Sequence, residues 1–79
     1  MTSRAAETLD ERGSLCPQPI IALGRATRRL PPGEVVALLA DDVAAESDVP
    51  AWCRLTGAEL LGAEDVDAAR RYLIRLPSR

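Results

Sequence analysis

The spacing of apolar and polar positions changes repeatedly along the chain, and each change marks an element. The stretch "AETLD", residues 6–10, reads as a short strand. "PQPIIALGRATRRL", residues 17–30, sets Ile20, Leu23, Thr27 and Leu30 at helical spacing on one face, with Gln18, Arg25, Arg28 and Arg29 on the other. Gly24 in the middle costs about 1 kcal/mol relative to alanine, so this helix depends on its packed face to persist. "PPGE" stops it and turns the chain.

"EVVALLA", residues 34–40, is a β-branched and leucine-rich run with few polar breaks, the pattern of a central strand covered on at least one side. "DDVAAESDVPAWCRLTG" holds a second helix, with the stripe Val49, Trp52, Cys53 and Thr56 facing inward and Gly57 as its C-terminal cap. Asp42, Ser47 and Asp48 all qualify to cap its start, and Pro50 either lies in the first turn or bends a longer helix. "AELLGAE" and "RRYLIRL" close the chain as two strands, with Glu64, Asp65, Val66 and Asp67 around the turn between them. The order is βαβαββ. A strand, helix, strand unit favours parallel pairing through a crossover, and the last two strands favour a hairpin. The expected fold is therefore an α/β (α+β) two-layer sandwich, one mixed four-stranded sheet with both helices on one face.

At 79 residues there is room for one domain, residues 1–79, with residues 1–5 as a flexible N-terminal tail. A domain of that size buries only about 60% of its unfolded surface, which leaves no room for a deep enclosed site and places any chemistry at the surface. Twelve acidic residues against ten arginines give a net charge of −2 and no overall pull toward nucleic acid. Trp52 and Tyr72 are too few aromatics for a base-stacking platform. Histidine is absent, which removes the Ser/His/Asp triad, the Cys/His dyad and the usual zinc-ligand sets together. No phosphate loop or dinucleotide fingerprint occurs. The charged N-terminal stretch lacks the apolar run of a secretory signal, and no segment approaches the roughly 20 apolar residues that span a bilayer. The two cysteines then fit a reducing cytoplasm, where thiols are reactive or buried more often than paired.

Cys16 is the residue with chemical promise. It stands directly before Pro17, with Pro19 two positions on, and prolines suit the first turn of a helix because their missing N–H has no intrahelical partner there. With the helix starting at Pro17, Cys16 is its N-cap, and the positive end of the helix dipole lowers the thiol pKa below its free value of about 8.5. Gly13 permits a turn before the cysteine. Cys53, on the inward stripe of the second helix, reads as core filling. Asp41 and Asp42 read as helix capping rather than an acid/base pair, and Arg25, Arg28 and Arg29 as a solvated helix face or a docking patch.

"LDERGSLCPQP" resembles the Leu-Asp-x-x-Gly-x-x-Cys-Pro-x-Pro signature of the TusA/SirA-type sulfur-carrier proteins, and the resemblance continues through "PPGE", "LADD", "SDVPAWCRLTGAEL" and "YLIR". It implies the βαβαββ two-layer sandwich found also in the C-terminal domain of translation initiation factor three. It further implies that Cys16 accepts sulfane sulfur as a persulfide from a donor protein of the cysteine desulfurase or rhodanese type and relays it to an acceptor protein. No metal or cofactor is implied. Pro17 and Pro19 would fix the geometry of Cys16, Gly13 would shape the loop, and Arg12, Gln18, Arg25 and Arg28 would dock partners. The chain departs from many members at Gly24 and Arg25 in the first helix and at Val43 after the aspartate pair. Two other classes stay open: a thiol redox or peroxide sensor using Cys16 with Cys53, and a non-catalytic protein- or RNA-interaction module resting on the arginine face.

Overall fold

The computed structural model describes residues 5–78, so the expected tail at residues 1–5, apart from Ala5, lies outside the described residues. The elements follow the expected order: β1 (Glu7–Asp10), α1 (Gln18–Arg29), β2 (Val35–Ala40), α2 (Ala45–Thr56), β3 (Glu59–Val66) and β4 (Ala69–Arg75). They form one mixed four-stranded sheet in the order β1-β2-β4-β3. β1 runs parallel to β2 with Leu9 opposite Leu38, and β4 runs antiparallel to both β2 and β3, with Tyr72 opposite Leu38.

Alternation along β2 turns Val36, Leu38 and Ala40 to one face of the sheet. Leu9, Tyr72 and Ile74 join them there, and the same cluster takes in Leu23 and Ala26 of α1 and Ala45, Val49 and Cys53 of α2. Both helices therefore cover one face. The buried stripe of α1 is centred on Leu23 and Ala26, with Ile20 and Leu30 packed at its margins. Thr27 instead spends its hydroxyl on the Leu23 carbonyl, at 2.9 Å. The opposite face of the sheet is open, and there Arg71 pairs with Glu64 and Arg75 with Glu59.

Two boundaries differ from expectation. α1 starts at Gln18, with Pro17 as its N-cap, so Cys16 stands one residue outside the cap. β3 runs on through Glu64, Asp65 and Val66, which pair with Arg71, Arg70 and Ala69. An edge strand exposed on most of its length needs no apolar alternation, so polar residues there resemble a turn. The reversal itself is only Asp67 and Ala68, with Asp67 at φ 55, a left-handed conformation that aspartate tolerates. Of the two placements open to Pro50, the structure takes the second, inside the longer helix α2.

The parallel pairing sets the stage for chemistry. β1 and β2 end at the same edge of the sheet, and α1 and α2 both begin beyond that edge. The two β-to-α connections, Glu11–Pro17 and Asp41–Ala44, therefore lie side by side. No helix among the described residues is long and apolar enough to cross a membrane.

Candidate functional site

The loop before α1 is pinned from its neighbour. The carboxylate of Asp41 accepts the Gly13 N–H at 3.0 and 3.1 Å. Asp42 Oδ2 accepts the Cys16 N–H at 2.8 Å, while Oδ1 accepts the Ala44 N–H at 3.1 Å in the lead-in to α2. One contact of this aspartate pair thus belongs to the helix start. The others hold the cysteine loop, across 28 and 26 residues of sequence. Gly13 has φ 84, so a side chain at this position would be strained although nothing stands in its way.

Entry into α1 is built by local carbonyls. Gln18 N–H donates to Leu15 O at 2.9 Å and Ile21 N–H to Pro17 O at 3.0 Å. Pro19, at the second helical position, has no intrahelical bond to lose. The Cys16–Pro17 peptide is cis.

Both hydrogen bonds from Cys16 and Ala44 lower the Asp42 pKa below the ordinary carboxylate value, Cys16 first. A depressed carboxylate pKa contributes stability that is complete above the ordinary value, about 4, and drains away as pH falls through the lower folded-state value. The loop clamp therefore holds throughout the neutral and mildly acidic range. For Asp42→Ala, we expect the Cys16 amide to exchange with solvent about tenfold faster or more, because its acceptor is gone while the rest of the fold is untouched. Residue-resolved hydrogen exchange checks this, and unchanged protection would show that the loop is held by other means.

The Cys16 side chain is exposed, and its Sγ donates to Asp48 Oδ2 at 2.9 Å. This reverses one expectation. The Asp48 hydrogen bond, then desolvation, then the charges of Asp48 and Asp42 raise the thiol pKa. A helix terminus carries about half a positive charge, whereas a full carboxylate charge lies in contact with the sulfur, and the nearer, larger charge wins. Cys53 has the opposite setting: it is 5% exposed in the core, and desolvation pushes its thiol pKa up.

The basic and polar candidates are divided. Arg12 is tied back to Asp10 by two side-chain hydrogen bonds at 2.8 and 2.7 Å, which, with the Arg12 backbone N–H, hold the Asp10 carboxyl at about 2. Gln18, Ile21, Arg25 and Arg28 are all exposed and follow one helical stripe. At 1.5 Å rise per residue, Arg25 stands about 10 Å and Arg28 about 15 Å along the axis from Gln18, so only the near end of the stripe adjoins the cysteine loop. Arg29, grouped with them by sequence, pairs with Glu7 instead.

An apolar groove escaped the sequence reading. Pro17, Ile20, Ala51, Trp52 and Leu55 line it, with Cys16 and Asp48 at its border. Leu55, on this groove, is 86% exposed, and Leu15, next to Cys16 in the chain, 73%. The signal available in sequence was Leu55 three positions after Trp52, one helical turn along the groove rather than along the core.

A family model described as sulfurtransferase TusA matches residues 7–76, from the first residue of β1 to just past β4. The chain belongs to this family. A solved structure agrees: the SirA-like protein from Desulfitobacterium hafniense is 26% identical, with a TM-score of 0.73 over 90% of this chain and 97% of that one. The TusA family is one of sulfur transfer, and its members work in sulfur relay with other proteins. The pinned loop presents the exposed Cys16 sulfur where the two helices begin side by side.

Proposed function

We propose that Cys16 is the sulfur carrier, holding sulfane sulfur as a persulfide between a donor protein and an acceptor protein. The observation that supports this most is the contrast between the two cysteines. Cys16 is exposed on a loop held by Asp41 and Asp42, while Cys53 is enclosed in the core. A relay must offer its sulfur to successive partners, and only Cys16 is accessible. In this reading Gly13, Pro17 and Pro19 fix the loop, and the donor is of the cysteine desulfurase or rhodanese type. The relay runs in the cytoplasm, where thiols remain reduced.

Loading is an exchange between sulfurs. The Cys16 thiolate attacks the outer sulfur of the donor persulfide, an S–S bond forms on Cys16, and the donor's S–S bond breaks with its electron pair left on the donor cysteine. Delivery repeats the step with the acceptor thiolate as nucleophile and Cys16 as leaving group. Thiolate fraction and access govern both. The redox-sensor alternative is the weaker reading, because a resolving cysteine must be reachable and Cys53 is buried.

The direct test is intact-mass analysis after incubation with a cysteine desulfurase and free cysteine. The protein should gain the mass of one sulfur atom and lose it on reduction. No gain, in a reaction where the desulfurase itself becomes persulfidated, would refute the carrier reading.

We assign partner docking to this helix stripe, with Gln18 beside the cysteine loop, Arg25 and Arg28 farther along it, and Arg12 held against Asp10. Because exposed charge at a rim acts chiefly on association rate, Arg25→Glu/Arg28→Glu should slow protein-to-protein transfer about tenfold at low salt. High salt should narrow the difference. Stability should change by only about 1 kcal/mol, mostly from reversing charge near the helix C-terminus. Equal transfer rates at low salt would return this face to plain solvent exposure.

A further inference from the structure

We propose that Asp48 is a second catalytic residue, the group that takes the Cys16 proton when the sulfur attacks and supplies one when the sulfur leaves. The chemical use of this pair rests on the carrier reading above; the shared proton itself does not.

The geometry singles out Asp48. An aspartate in the first turns of a helix ordinarily serves the helix, but here that duty is already filled. Ala44 N–H donates to Asp42 Oδ1, Ala45 N–H to Asp42 O, Glu46 N–H to Val43 O and Ser47 N–H to Ala44 O, at 3.1, 3.0, 3.1 and 3.2 Å. None of these needs the Asp48 carboxylate, which instead accepts from Cys16 Sγ at 2.9 Å across 32 residues of sequence. An ionised carboxylate is acceptor-only, so the contact requires the thiol proton to lie between the two groups.

The surroundings favour sharing of that proton. Pro19, Ile20 and Ala45 close the small cleft in which Cys16, Asp42 and Asp48 meet. The charged groups facing the sulfur are Asp48 from α2 and Asp42 from the β2–α2 connection, and Asp42 is committed to the Cys16 and Ala44 N–H groups. α1 turns only apolar residues to the cleft, and Arg12 on the same loop as Cys16 is tied to Asp10. No cation among these residues is placed to hold a free thiolate, which leaves Asp48 as the group through which one forms.

The step balances without an outside oxidant or reductant. On loading, the Cys16 proton passes to Asp48 as Sγ bonds the donor's outer sulfur; the donor's inner sulfur departs with the electron pair and is then protonated from Asp48. The net change is thiol plus persulfide to persulfide plus thiol. On delivery the acceptor thiol gives its proton to Asp48 as its sulfur takes the outer sulfur, and Cys16 leaves with the electron pair and takes that proton from Asp48. The same carboxylate disfavours a free thiolate, so its removal separates two effects: a reagent that meets only the thiolate gains, and a transfer that needs the proton moved loses.

The test compares Cys16 alkylation by iodoacetamide with sulfur uptake from a cysteine desulfurase and cysteine, both read by mass spectrometry on the whole chain. At pH 7, Asp48→Asn should alkylate about threefold faster than wild type or more, because the carboxylate that disfavours the thiolate is gone, yet take up sulfur about tenfold more slowly, because the proton acceptor is gone. Asp48→Glu should restore sulfur uptake, which a merely structural role would not. Sulfur uptake by Asp48→Asn as fast as by wild type overturns the proposal. Faster alkylation of Asp48→Asn in a protein that takes up no sulfur would support the shared proton and refute the carrier reading instead.

Discussion

Leu38→Ala should cost about 2–5 kcal/mol, the range for emptying a fully enclosed leucine site. Leu38 is 0% exposed, flanked on its own sheet by Leu9 and Tyr72, and lies beneath the helices in the common cluster. At about 0.05–0.15 kcal/mol per residue, a chain this short has only a few to about a dozen kcal/mol of total stability. The loss is therefore a large share of the whole, and the melting temperature should fall by roughly 10–40 °C. Leu39→Ala is the internal control. Its side chain is half-exposed on the open face of the same strand, and its removal should cost about 1 kcal/mol or less. Thermal and urea unfolding followed by circular dichroism check both, and equal losses would contradict the assignment of the two faces.

The same alternation explains why so much of the fold was legible. Val36, Leu38 and Ala40 face the helices, and the apolar spacing around Leu23 and Val49 leaves each helix one buried face. The β-α-β unit, the hairpin and the covered face follow from those periods and from short connections. The misplaced boundaries are those where the pattern carried no information. Glu64 and Asp65 lie on an exposed edge strand, where polar side chains satisfy strand and turn alike. Cys16 was assigned to the cap because prolines suit a first helical turn, but Pro17 itself takes the cap, a choice that depends on how the loop closes onto Asp41 and Asp42.

The site was legible only in part, and for the same reason. Cys16 stood out because a thiol beside two prolines is an unusual local arrangement. What surrounds the thiol is not local: Asp42 and Asp48 reach it from 26 and 32 residues away. The sign of the pKa shift follows from those carboxylates, so an argument restricted to the helix dipole had the available positive charge and missed the larger negative one. Arg12 shows the converse, since Asp10 two positions earlier takes up its guanidinium and removes it from the free basic surface.

The central claim, that one particular cysteine carries the sulfur, is tested most directly by comparing Cys16→Ser with Cys53→Ser. Cys16 is exposed, and a serine hydroxyl can donate to Asp48 as the thiol does, so Cys16→Ser should fold like wild type. Cys53→Ser puts a hydroxyl into the core and should lose about 1–3 kcal/mol of stability while keeping its exposed thiol. Each variant is incubated with a cysteine desulfurase and cysteine, then weighed intact before and after reduction. The account predicts a reducible gain of one sulfur atom on Cys53→Ser and none on Cys16→Ser. A sulfur that persists on Cys16→Ser and disappears from Cys53→Ser would contradict it.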